Sequence, residues 1–156
     1  MAEIRWVAPE TLHMTLKFHG EIQQDMVESL KKHLAAIKQK GPFEAGIKGI
    51  HGFPDLAAPE VIWTGVTADM DRLKEVREQA EIASLRAGIK REKRQLKPHI
   101  TLGRNKTGKP LSGETLELLR NNEPRLEPWT AESITLMRSE LFQYGPKYTR
   151  LGIYKI

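Results

Sequence analysis

Two stretches, TLHMTLKFHG at 11–20 and KPHITLGR at 97–104, each spell H-x-T-L. In an extended chain, residues two apart point to the same side. His13 and Thr15 therefore share one face of an expected strand over 11–18, with Met14, Leu16 and Phe18 on the other. His99 and Thr101 repeat that arrangement on a strand over 98–104, with Ile100 and Leu102 opposite. The apolar faces are expected to pack beneath helices and leave the two His/Thr faces uncovered.

The order of elements around each motif repeats as well. After the first motif, Met26, Leu30, Leu34 and Ile37 recur at helical spacing and predict a helix over 22–39, stopped by Gly41-Pro42. Phe43 to Ile50 alternates as a strand, Gly52-Phe-Pro-Asp marks a turn, and 61–66 reads as another strand. Thr67 or Asp69 is suited to cap a helix running to about Ala87. After the second motif come a Gly/Lys/Pro-rich loop, a short helix to Asn121 capped by Ser112, and strands over 132–140 and 147–156 joined by Tyr144-Gly-Pro-Lys147. The expected organisation is one duplicated domain over 1–156. Its first lobe unit is about 11–66, its connecting helix about 69–87 and its second lobe unit about 98–156. A strand and a helix precede the second motif, whereas only twelve residues precede the first. By the chain's own repeat, a leading strand and helix are missing.

Composition narrows the chemistry. The 156 residues include no cysteine, which excludes disulfides, a thiolate nucleophile and Cys-based metal sites. No apolar run is long enough to cross a bilayer, and MAEIRWVAPETLH lacks the order of a secretory signal, so a cytoplasmic protein is expected. A net charge of +5 raises the odds of a phosphate-bearing partner. There is no HExxH, no Gly-rich phosphate loop and no GxSxG elbow; no metal or cofactor is expected.

Two histidines titrating near neutrality can serve as general base and general acid in one turnover. Threonine hydroxyls can donate to non-bridging phosphate oxygens. If the halves sit as pseudo-symmetric lobes, the pair His13 and His99, with Thr15 and Thr101, suits the opening of a phosphodiester. Lys17 falls on the His13 face. Arg104 follows Gly103, and strict alternation sends it to the far face unless the strand ends there. The run Lys90, Arg91, Lys93, Arg94 and Lys97 reads either as solvated surface or as a track for a nucleic-acid backbone. His19, His33 and His51 carry weaker claims to a role.

With HMTLKFHGE and KPHITLGR in hand, the chain resembles the 2H phosphoesterase superfamily. Within it, the chain is most similar to the RNA 2′,3′-cyclic phosphodiesterases, also called 2′-5′ RNA ligases. RWVAPETLHMTLKFHGE, GFPD, VIWTGV and the strand of Tyr148 carry the likeness over nearly the whole chain. The resemblance implies an α+β, bilobal fold whose two antiparallel sheets form a central cleft, with helices outside. It implies metal-independent opening of a 2′,3′-cyclic phosphate to a 2′-phosphate, reversible as 2′-5′ ligation. His13 would protonate the departing 3′ oxygen and His99 activate water, roles that coupled histidines can exchange in reverse. Thr15, Thr101 and Arg104 would bind the phosphate. The implied partners are RNA ends or nucleoside 2′,3′-cyclic phosphates, with no membrane and no obligate protein partner. Such proteins usually show Leu where this chain has His19, and begin with a strand and helix of some forty residues. The alternatives are an RNA- or nucleotide-binding module with little turnover, and an enzyme acting on 2′-5′ oligonucleotides or another cyclic phosphodiester.

Overall fold

A computed structural model describes residues 2–156. Seven strands and three helices follow in the order β1 (Ile4–Trp6), α1 (Gln24–Ala35), β2 (Phe43–Phe53), β3 (Val61–Ala68), α2 (Met70–Arg86), β4 (His99–Asn105), α3 (Gly113–Asn121), β5 (Trp129–Ala131), β6 (Ser133–Phe142) and β7 (Gly145–Lys155). A single 3-10 turn, Pro9–Thr11, lies between β1 and α1. The strands form a five-stranded sheet in the order β1-β4-β3-β2-β5 and a separate β6-β7 hairpin. The pairs β1-β4, β4-β3, β3-β2 and β6-β7 are all antiparallel. The α+β class with two antiparallel sheets is as expected.

The described residues pack as two compact units, each assembled from three segments: 2–15, 45–68 and 97–129 in one, 16–44, 69–96 and 130–156 in the other. Neither coincides with a sequence half. The expected division put one H-x-T motif in each lobe, yet both motifs belong to the first unit.

In the first unit, β3 alternates between a buried row, Ile62, Thr64 and Val66, and a half-open row, Val61, Trp63 and Gly65. The Thr64 hydroxyl is satisfied by donating to the Gly49 carbonyl at 2.7 Å, as burial of a polar group requires. In the second unit, Leu30 and Leu34 of α1 meet Ala83 of α2, together with Ala87, Ile89 and Leu136 of β6. Asp69, not Thr67, caps α2, accepting from the Asp71 and Arg72 amides, and Ser112 caps α3 through the Thr115 amide. The first helix is shorter than its apolar spacing predicts. It ends at Ala35 with amides of Ala36 and Ile37 bonded three residues back, before Gly41-Pro42 is reached.

The largest departure concerns 11–18, which form no strand. β1 pairs with β4 as far as Trp6↔Gly103, and antiparallel pairing resumes only at a lone bridge, Met14↔Ile100. Between those points the edge chain advances eight residues (6 to 14) while β4 advances three (103 to 100). The surplus is taken up by the Pro9 turn, where proline's fixed φ suits the first helical position. The first motif is thus the resumed end of an interrupted edge strand.

Candidate functional site: one face of the five-stranded sheet

The bridge Met14↔Ile100 sets a register in which His13 faces Thr101 and Thr15 faces His99. Partners directly opposite one another share a face of the sheet. On the other side of β4, Thr101 pairs with Trp63 and His99 with Gly65. β3 in turn pairs Trp63 with His51 and Gly65 with Lys48. Two rows therefore cross the sheet on one face: His13–Thr101–Trp63–His51, and Thr15–His99–Gly65–Lys48. The two H-x-T motifs stand side by side.

A third row depends on a bulge. Trp63 pairs with Thr101, but Ile62 pairs with Gly103, which leaves Leu102 as an extra residue on β4. Val61, two residues from Trp63 and on its face, then pairs with Arg104. The bulge thereby brings Arg104 onto the same face as Thr101. The expected route to this face was an end of the strand near Gly103; the strand instead continues to Asn105, and the bulge supplies the change of face. Gly103 itself faces the other way, where a Cβ would lie 2.9 Å from Ile4 Cγ2 and 3.0 Å from Trp6 Cε3. Any larger residue at 103 would have to push Ile4 or Trp6 aside.

The imidazoles are held alike. His13 Nδ1 lies 2.7 Å from the Thr11 carbonyl oxygen, and His99 Nδ1 lies 2.7 Å from the Lys97 carbonyl oxygen. A carbonyl can only accept, so each Nδ1 carries the hydrogen and donates it. Each Nε2 is then the nitrogen that gains and loses a proton, which is the arrangement a general acid or base needs. The Trp63 ring meets His99 edge-on at 5.7 Å between centroids and stacks on His51 at 4.5 Å. A second bulge, with Gly49 at φ +72°, brings His51 into line; a Cβ at Gly49 would sit 2.7 Å from His51 Nε2. Positions 5, 13, 15, 48, 51, 63, 99, 101 and 104 carry no carboxylate, so the face favours an anion.

The family described as LigT like phosphoesterase matches residues 1–63 and 66–148. The chain belongs to that family. A relative from Aquifex aeolicus, named RNA 2′,3′-cyclic phosphodiesterase, is 32% identical over 93% of this chain and 78% of its own length. One of the same name from Aeropyrum pernix is 29% identical over 95% of this chain and 84% of its own. The crystal structure of E. coli LigT in apo form shares the fold at a TM-score of 0.76 and 23% identity, covering 97% of this chain and 79% of that one. By its family match the chain is a 2H phosphoesterase.

Lys17 does not join His13 and Thr15 on this face. It is buried, paired with Glu81 at 2.8 Å and donating to the Lys90 carbonyl at 3.0 Å. Because extended pairing does not continue beyond Met14, the alternation that placed Lys17 beside His13 does not apply. His19 is half-buried with Nδ1 unbonded, and burial, reinforced by Lys17, holds its pKa below the ordinary histidine value while Glu81 pulls it up. The basic run is drawn partly into its own unit: Arg91 pairs with Glu78, and Arg94 bonds Glu92. Trp63, Lys48 and Arg5 were not singled out by sequence reasoning, and His51 was given little weight. Their cross-strand partners, which no motif encodes, are what place them on the face. Among the described residues, no helix is long and apolar enough to cross a membrane.

Proposed function

We propose that this face hydrolyses RNA or nucleoside 2′,3′-cyclic phosphate to the 2′-phosphate by a two-histidine acid–base mechanism. The observation that carries the reading is the matched hydrogen bonding of His13 and His99, each donating from Nδ1 to the carbonyl two residues back, on opposite sides of one short register. His99 Nε2 takes a proton from water as the water's oxygen bonds to phosphorus. The P–O3′ bond breaks, and His13 Nε2 gives its proton to the departing 3′ oxygen. The hydroxyls of Thr15 and Thr101 donate to the non-bridging oxygens, and Arg104, one row further along the same face, adds positive charge beside them. With an RNA 5′-hydroxyl in place of water, the same transfer forms a 2′-5′ bond. The relatives named RNA 2′,3′-cyclic phosphodiesterase support this substrate class, and RNA ends in the cytoplasm are its proposed setting.

The test is adenosine 2′,3′-cyclic phosphate incubated with the protein in excess EDTA, with the product isomer identified by chromatography. Adenosine 2′-phosphate should accumulate at an undiminished rate. A 3′-phosphate product, or activity abolished by chelation, contradicts the mechanism. A binding module with little turnover would hold the nucleotide without opening it.

A further inference from the structure

We propose that Arg5 and Arg104 form a clamp for a second phosphate, so that this site prefers an RNA oligonucleotide end to a mononucleotide. The inference rests on the proposed function and adds the length of the substrate. Arg5 on β1 lies directly opposite Arg104 on β4, and such a pair shares a face with Cβ atoms about 4.5–5.5 Å apart. Arg104 is on the His/Thr face because of the Leu102 bulge, so Arg5 is there too. Ile4 and Trp6, its neighbours in β1, close over Gly103 on the reverse side, as alternation requires. Both guanidiniums are exposed. Among the described residues neither makes an ion pair, and the nearby carboxylate of Glu3 is taken by Lys106 at 2.8 Å.

Charges on an edge strand protect it from pairing with another chain, and β1 is an edge. That explains a charge at position 5 but not its sign. A glutamate there would protect the edge equally well and would pair with Arg104. Two like charges directly opposite destabilise the sheet, a cost that an anion held between them removes. The clamp lies one row beyond His13 and Thr101. Arg104 is three residues past Thr101, roughly 7–10 Å along the strand, on the order of one nucleotide. In an RNA ending in a 2′,3′-cyclic phosphate, the next anion along is the phosphodiester on the 5′ side of the terminal nucleoside. A mononucleotide lacks it. Guanidinium forks match phosphate oxygens in pairs, and Arg5 is the outer of the two.

The experiment compares kcat/KM for adenylyl-adenosine 2′,3′-cyclic phosphate with that for adenosine 2′,3′-cyclic phosphate. The wild type should favour the dinucleotide by about tenfold to a hundredfold. Arg5→Gln should collapse that ratio, chiefly through KM for the dinucleotide. Arg5→Lys should keep part of it, and Arg120→Gln, an equal loss of charge on α3, should leave it unchanged. A variant-free measurement runs alongside. The logarithm of wild-type kcat/KM should fall more steeply with log salt for the dinucleotide, by about 0.7 for one further phosphate contact. Equal ratios, equal salt slopes, or a ratio that survives Arg5→Gln overturn the clamp. If the wild type opens neither substrate, the proposed function itself fails; if it opens the mononucleotide without preferring the dinucleotide, only the clamp does.

Discussion

The two H-x-T segments reach the same side-chain geometry from unlike backbones. His99 and Thr101 sit in β4, hydrogen-bonded to β3 along most of its length. His13 and Thr15 lie in a chain touching β4 through one bridge, after a 3-10 turn. Yet each histidine donates from Nδ1 to the carbonyl two residues back, at the same 2.7 Å. At 97–99 the carbonyl belongs to the residue before Pro98, which proline holds extended. At 11–13 it belongs to the last residue of the Pro9 turn. The imidazole–carbonyl bond is common to both motifs, and the strand is only one way of building it.

If that bond is what matters, the two histidines should be equally sensitive despite their unequal supports. His13→Ala and His99→Ala should each lower kcat on a nucleoside 2′,3′-cyclic phosphate by about 10² to 10⁴, and the double variant should fall far short of the product of the two losses. Wild-type turnover in either single variant would break the comparison. The hydroxyls come next. Thr15→Val and Thr101→Val each remove a hydrogen bond to a charged group, about 1.5–3 kcal/mol, and steady-state kinetics should show losses of about tenfold to a hundredfold. A loss at Thr101 alone would mean that the unladdered segment does not position its hydroxyl. Backbone dynamics should separate what catalysis equates: in hydrogen exchange, amides of 100–104 should outlast those of 12–16 by well over tenfold. Equal protection would show the first motif to be better supported than its single bridge implies.

The sequence made the pairing of the motifs legible because it is written in residue types at a fixed spacing, H-x-T-L twice. It also made α2, α3 and the β6-β7 hairpin legible, since caps at Asp69 and Ser112 and a glycine-containing turn are local signals. It could not show that 11–18 breaks up, because alternation is present there and only the competition of the Pro9 turn overrides it. Nor could it place Arg104 or find Arg5, Lys48 and Trp63. The faces of Arg104 and Arg5 follow from the bulge at Leu102, and those of Trp63 and Lys48 from their cross-strand partners, both of which are properties of strands together. Lys17 was misplaced for the same reason: its partner Glu81 is 64 residues away.

The smallest predicted effect lies where the first motif leaves the sheet. His19 has a depressed pKa caused first by burial, so below the ordinary histidine value near 6.5 the unfolded chain binds the extra proton. Stability should therefore fall as pH drops through the ordinary histidine range towards the depressed value and level off below it. His19→Leu should flatten that slope and, by removing a half-buried ring nitrogen without a partner, add about 1 kcal/mol in urea unfolding at neutral pH. An unchanged pH slope in the variant would show that another group carries it.

The central claim, that two side-by-side motifs make one acid–base pair, is tested most directly by the pH dependence of kcat/KM. The wild type should give a bell with two limbs, one for each essential protonation state. His99→Asn should lose one limb and His13→Asn the other, with residual rates measurable in both. A bell that persists intact in either variant, or the same limb lost in both, would contradict the account.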